Sequence, residues 1–389
     1  MSGRRSFLAS AAGLVAATGV ARLGHATSGD PFLGEHQAGI ATPQQTQTYF
    51  AALDLTAKKP GAIVRTLRVW TDAAARLTRG QDAPGDSGEV AGLGPAGLTL
   101  TFGLGAGLFS DRYGLAGRRP EALADLPGFN GDQLVAERSG GDLSIQACAD
   151  DPQVAFHAVR QLVRLADGVA RVRWTQSGFL PSTPQGETPR NLMGFKDGTR
   201  NANSLADKVW VGEEGPGWMR GGSYVVVRKI RIALEHWDRT EVDFQEEVFG
   251  RQKRSGAPIG RNRERDKPDF GAMDQDGNPL IAENAHLRLA APETNNGAQI
   301  LRRGYSYNDG ANFTAERWPP WRQGIEYDAG LLFVAYQRDP RTGFIRLFDK
   351  MSKIDALNQF TTHIGSGLFA CPGGVAEGQF LAQGLFDSV

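Results

Sequence analysis

The sequence predicts an α+β fold made of two similar units, and three observations point that way. Short strand-like runs alternate with amphipathic helical ones, and the same order of runs recurs in the second half. The 389 residues also exceed the roughly 250 to 300 at which a single core stops growing. A hydrophobic fraction of 40% suffices for packed cores and argues against disorder.

The first unit reads in order. Residues 49–57 (YFAALDLTA) have the character of a strand, and 63–80 (IVRTLRVWTDAAARLTRG) place Leu67, Trp70, Ala74 and Leu77 at helical spacing. A polar, Gly-rich loop over 81–95 precedes the strand LTLTFGLG (98–105), and DLSIQACA (142–149) is another strand. Asp151-Pro152 opens a helix through VAFHAVRQLVRLAD, which ends at Gly168 before the strand ARVRWTQSGFL. In the second unit, SYVVVRKIRIAL (223–234) is strand-like, VDFQEEVFG (242–250) helical, and GLLFVAYQ (330–337) a strand. DALNQFTTHIG (355–365) reads as a helix and SGLFACP as a final strand. Each unit is a sheet with helices on one face, the composition of a ferredoxin-like domain. The boundary is expected near residue 205, giving an N-terminal domain over 40–205 and a C-terminal one over 206–389.

Lys plus Arg (43) balance Asp plus Glu (43), so the overall field gives no case for nucleic acid or an anionic membrane as the main partner. The charged stretch 251–269 (RQKRSGAPIGRNRERDKPD) has no interleaved aromatics and reads as a solvated loop. Cys148 and Cys371 are too few for a disulfide scaffold, lack metal spacing, and read as buried thiols.

The N-terminus differs in kind. Arg4-Arg5 followed by Phe7-Leu8 and an alanine-rich run to Val20 has the form of a twin-arginine signal over 1–26, with small residues suiting a cut near Ala26. The run is too short to span a bilayer. The expectation is export in the folded state, to an extracellular, cell-surface or periplasmic location. A protein folded before export is often one that takes up a cofactor inside the cell.

NLMGFKDGTRN (191–201) sets Asp197 between Gly194 and Gly198, flanked by Lys196 and Arg200. Asp-Gly is a strong turn dipeptide, so the plain reading is a turn. Of the six histidines, His25 and His36 lie in or next to the signal, and His157, His236 and His363 read as structural imidazoles in helical text. His286, in ENAHLRLAAPETNNGAQILRRGYSYNDG, stands apart. One imidazole is enough to hold haem iron from one side. Peroxide chemistry on haem then needs a base and a cation on the other side, and Asp197 with Arg302 and Arg303 are candidates.

GFKDG, the AHLRLAAP segment around His286, ILRRGYSY and GLLFVAYQRDP, in that order, together resemble the dye-decolourising peroxidase family, over most of the chain after the signal. The likeness is to its exported, twin-arginine branch, related to deferrochelatase/peroxidases of iron uptake. The resemblance implies two ferredoxin-like domains with haem b (iron protoporphyrin IX) in a cavity beside the C-terminal one. It implies that His286 is the proximal iron ligand, Asp197 the distal acid and base, and Arg302 the distal arginine. Leu331 and Phe333 match residues that narrow the distal pocket, and Gly198, Thr199 and Arg200 match a stretch lying against the haem. Asp355 matches the carboxylate that accepts the imidazole's other N–H. Where relatives often read Asn-Pro-Arg, this chain has Ala291-Pro292-Glu293, so a cation for a haem propionate is missing, and Arg288 or Arg200 is left to compensate.

The activity so implied is reduction of hydrogen peroxide through ferryl intermediates, with one-electron oxidation of dyes or other bulky organic donors. Trp237, Tyr305, Tyr307, Trp318, Trp321 and Tyr327 are available for a surface-radical relay of the oxidation, and for each the plain reading is ordinary packing or an exposed ring. Two alternatives stay open: a deferrochelatase-like haem- or iron-handling protein, and a non-catalytic haem carrier. Chlorite dismutase also uses one proximal His, and the Asp-bearing loop argues against it.

Overall fold

The computed structural model describes residues 31–184, 186–201, 205–315 and 323–387. The signal-like segment therefore lies outside the described residues, as do Trp318 and Trp321. The first unit runs β1 (Gln47–Leu55), α1 (Pro60–Thr78), β2 (Thr99–Leu104), β3 (Leu143–Ala149), α2 (Pro152–Leu165) and β4 (Ala170–Phe179). Its strands pair antiparallel in the order β2-β3-β1-β4. Asp151 caps α2 by accepting from the backbone N–H groups of Gln153 and Val154, with Pro152 pre-set for the first turn.

The second unit contains α3 (Leu205–Lys208), β5 (Ser223–Ile232), α4 (Leu234–Trp237), α5 (Val242–Phe249), α6 (His286–Ala290), β6 (Leu301–Arg302), β7 (Tyr305–Ala315), β8 (Gln323–Gln337), α7 (Phe344–Ile354), β9 (Thr361–Cys371) and α8 (Gln383–Phe386). Its main strands follow the same antiparallel arrangement, β9-β5-β8-β7, with the two-residue β6 added to β8. The α+β class and the ferredoxin-like architecture are as the sequence predicts. The two sheets also meet at both edges, through Leu104 opposite Ala370 and Phe179 opposite Ser306, so the strands close into a barrel.

The period of two then sorts each strand's side chains. On β1, Phe50 and Ala52 join Val225, Val227, Leu332, Val334, Tyr336, Phe369 and Cys371 inside the barrel. The alternate residues Ala51, Leu53 and Leu55 face outward and are covered by Leu67, Trp70, Val154 and Leu162 of α1 and α2. On β5, the outward Val226 meets Phe129 and Phe344, with Phe333 and Phe348 alongside. Both thiols are free and buried.

Three expectations are corrected. The helix expected at 355–365 is instead α7, one segment earlier, where Phe344, Leu347, Phe348 and Met351 recur at helical spacing. Asp355 ends that helix and accepts from Leu357 N–H, and the β-branched Thr361-Thr362 run enters β9, carrying His363 on a strand. The hairpin β7/β8 is longer than the 330–337 strand expected, since β8 begins at Gln323. Residues 251–269 are not merely solvated: Arg251 is buried and Glu264 packs against the Asp197 loop. Among the described residues, no helix is long and apolar enough to cross a membrane.

Candidate active site

The face of the second sheet that corresponds to the α1/α2 side of the first holds a cavity of about 1730 Å³, mouth included. Its walls are mostly apolar, with Ile230 and Ile232 of β5, Leu331 and Phe333 of β8, and Leu347 and Met351 of α7. Leu331 and Phe333 face it together because they are two apart on one strand, while Leu332 and Val334 point into the barrel.

One wall carries His286, the first residue of α6. Its Nδ1 lies 2.8 Å from Asp355 Oδ2. An ionised carboxylate only accepts, so Nδ1–H donates to it, and Nε2 is the ring nitrogen left for the cavity. Asp355 is fixed in turn, its other oxygen accepting from Leu357 N–H at 2.9 Å.

Another part of the lining is the GFKDG loop. It is a turn, as its composition predicts: Gly194 (φ +86°) and Gly198 (φ +108°) adopt backbone conformations that side chains resist. At Gly194 a Cβ would also come within 2.7 Å of Lys253 Cε. The turn is braced from below by Phe195, buried and stacked on Phe249 at 3.9 Å. From the side it is held by Glu264, which accepts from Lys196 Nζ (2.7 Å), Thr199 Oγ1 (2.9 Å) and the Thr188 hydroxyl. Burial raises the Glu264 pKa, but these donors outweigh it and hold the carboxyl below its ordinary range.

So braced, Asp197 faces Arg302, whose Nη1 donates to Asp197 Oδ1 at 2.9 Å. Asn201 clamps the arginine's backbone, accepting from Arg302 N–H and donating to Arg302 C=O, both at 2.7 Å. The arginine and the carboxylate therefore keep their relation by backbone register as well as by charge. Arg303 points elsewhere, into contacts with Thr42 and Gln45.

Gly198, Thr199 and Arg200 also line the cavity. Arg200 donates to Glu293 at 2.8 Å, and its Nη1 is buried with no partner. Arg288, the other candidate for a propionate, bonds to Ile281 C=O and lies over the Phe270 ring. Sequence reasoning missed Arg251, Asn201, Glu264 and His363. His363 and Arg251 belonged to residue types under suspicion, and His363 lies on the cavity wall with Nδ1 accepting from Arg228 at 3.0 Å. Burial, then the Arg228 charge, lowers its pKa to about 3. The relay candidates Trp237, Tyr305 and Tyr307 are buried rather than at the surface, and Tyr327 is half-buried.

A mostly apolar cavity lined by an imidazole, an ion-paired aspartate and an arginine that carries a buried donor without an acceptor fits a dianionic metalloporphyrin. The comparisons with known proteins agree. Models of the N-terminal and C-terminal parts of Dyp-type peroxidases match residues 37–180 and 188–376. The chain is 42% identical to the dye-decolorizing peroxidase of Thermobifida fusca, over 90% of this chain and 84% of that one. It is 39% identical to the deferrochelatase of Escherichia coli K12, over 88% and 84% respectively. Among solved structures, a DyP-type peroxidase from Streptomyces coelicolor aligns with a TM-score of 0.86 at 42% identity, covering 92% of this chain and 96% of that one. Ferric DtpA from Streptomyces lividans aligns at 0.85, with the same identity and coverage. Both halves of the chain are matched and the cavity falls where a porphyrin fits, so this protein belongs to the Dyp-type peroxidases, haem enzymes that reduce peroxide.

Proposed function

We propose that this peroxidase uses Asp197 as the distal acid and base and Arg302 as the stabilising cation, and that it oxidises dyes or other bulky organic donors. The observation that carries the reading is the Asp197–Arg302 pair, 2.9 Å apart, lining the same cavity as an imidazole whose other nitrogen is held by Asp355. Bound haem iron supplies the two-electron reduction of hydrogen peroxide and the one-electron oxidations that follow. His286 Nε2 offers the iron its lone pair. Asp355 takes a hydrogen bond from Nδ1–H and so strengthens the imidazole as a donor. Asp197 accepts a proton from the incoming peroxide and returns it to the departing oxygen. Arg302 places a guanidinium beside Asp197 and steadies the negative charge that develops. Leu331 and Phe333 narrow the approach, which favours peroxide near the iron and places a large donor outside it. The Arg4-Arg5 segment supports export by the twin-arginine route after folding.

The deciding experiment is an absorption spectrum of the purified protein before and after one equivalent of hydrogen peroxide. A Soret band that shifts with peroxide and returns when a donor dye is added supports the reading. A band that ignores peroxide removes it. The likeness to the Escherichia coli deferrochelatase supports a second reading, release of iron from haem. Metal-free porphyrin after anaerobic incubation with haem would favour that one.

A further inference from the structure

The corner of the cavity beside the Asp197 loop holds four cations, and three have a carboxylate each. Lys196 pairs with Glu264, Arg200 with Glu293 and Arg302 with Asp197, at 2.7, 2.8 and 2.9 Å. The fourth, Arg251, is the most buried of the four, with 7% of its surface exposed, and it lines the cavity. Among the described residues no carboxylate lies within ion-pair distance of it. Its Nη1 donates to the carbonyls of Gly256 (2.6 Å) and Glu264 (3.0 Å), and its Nε and Nη2 have no protein acceptor there.

This arrangement is costly as it stands. A guanidinium does not shed its proton at neutral pH, and a buried charge with no carboxylate in ion-pair contact is costly. Burial, then the Arg200 charge, lowers the Arg251 pKa to about 10; the Glu264 carboxylate opposes this from beyond ion-pair distance and Arg302 adds to it, and the group stays charged. The Nη1 of Arg200, in the same wall, is a second buried donor with nothing to donate to. Two guanidiniums that line one cavity thus keep N–H groups without a protein acceptor, and the missing component is an anion. The haem that fills the cavity is apolar except at its two propionate carboxylates, whose planar oxygens match a guanidinium fork.

We propose that Arg251, with Arg200 Nη1 as a second donor, anchors a haem propionate. Arg251 enters through the segment 251–269, whose backbone carbonyls at Gly256 and Glu264 aim the guanidinium. The same segment holds the Asp197 loop through the Glu264 carboxylate. One element therefore seats the edge of the cofactor and the acid–base loop together.

This inference rests on the cavity being the haem site, and the test separates the two. Apoprotein of the full chain, wild type and Arg251→Gln, is loaded with haem or with haem dimethyl ester, whose propionates carry no charge. The rate of porphyrin transfer to excess apomyoglobin is then followed by absorbance. Wild type is expected to release haem about 10- to 100-fold more slowly than the ester, the scale of charge-assisted bonds to a buried carboxylate. Arg251→Gln should release haem faster by a similar factor and lose most of the discrimination, and Arg251→Lys should restore part of it. Should Arg251→Gln release both porphyrins faster while preserving their ratio, its role is only to shape the loop and the proposal is overturned. It is equally overturned if the variant behaves as wild type. Failure of the wild type to give a histidine-ligated spectrum with either porphyrin would instead remove the cavity assignment itself.

Discussion

The two halves repeat one strand order and treat the same sheet face in opposite ways. On the first sheet that face is filled: α1 and α2 lie across it, and Trp70, wholly buried, donates its Nε1–H to Leu162 C=O and ties the two helices together. On the second, the connection between β5 and β7 has no long helix, only the short α4, α5 and α6 among loops, and α7 alone packs as a full helix. The space so vacated is the cavity. The difference shows what turns a stable scaffold into a cofactor site. The filled half satisfies its groups internally, whereas the open half keeps the His286 lone pair, Arg200 Nη1 and the Arg251 fork without protein partners. Stability belongs mainly to the first arrangement, chemistry to the second.

The contrast can be broken most sharply at His286. His286→Ala should abolish the iron–imidazole bond and the normal Soret spectrum while far-ultraviolet dichroism stays that of a folded protein; a spectrum like the wild type's would transfer the ligand role to another residue. Next in size is Trp70→Ala in the filled half, expected to cost about 3 to 5 kcal/mol in denaturant unfolding and to leave the haem spectrum unaltered. If it perturbed the spectrum as much as the stability, the halves would not divide the labour as described.

Asp197→Ala and Arg302→Leu should each slow the reaction with peroxide by about 10²- to 10³-fold, with haem retained. Stopped-flow traces matching wild type would discard both roles. Asp355→Asn should weaken the site by about 10- to 100-fold, seen as faster haem loss or a lowered iron–histidine stretching frequency in resonance Raman spectra; an unmoved frequency would make Asp355 only the cap of its turn.

The smallest effect is in pH. His363 is held neutral in the fold, its pKa at about 3 against 6.5 unfolded, by burial and by Arg228, which itself pairs with Asp132 and Ser366. The unfolded chain therefore binds the proton first. The stability this provides is complete above pH 6.5 and is lost as pH falls toward 3, at about 1.4 kcal/mol per pH unit. His363→Gln should flatten that slope in unfolding curves taken between pH 6.5 and 4, and an unchanged slope would place the proton uptake elsewhere.

How much of this was legible follows the range of the interactions. The helices and strands of the first half are set by local periodicity, and YFAALDLTA, the Asp151 cap and the Trp70 stripe show it openly. His286, Asp197, Arg302 and Asp355 stand in motif-like text. Glu264 does not, because it acts through a partner far along the chain, Lys196, 68 residues away; Asn201 closes the GFKDG text, but its partner Arg302 is 101 residues away, and Arg251 opens a charged run that gives no sign of its burial. The helix α7 was hidden for a different reason, since its apolar stripe is interrupted by Arg346, Asp349, Lys350 and Lys353, which belong to its outer side.

The barrel's closure also bears on biosynthesis. Strand β9 follows every other strand in the chain, yet it lies between β5 and β2, supplies His363 to the cavity and completes one of the two seams. A ribosome must therefore release the whole sheet-forming polypeptide before the pocket has all its walls. Prosthetic-group capture is then a post-translational event.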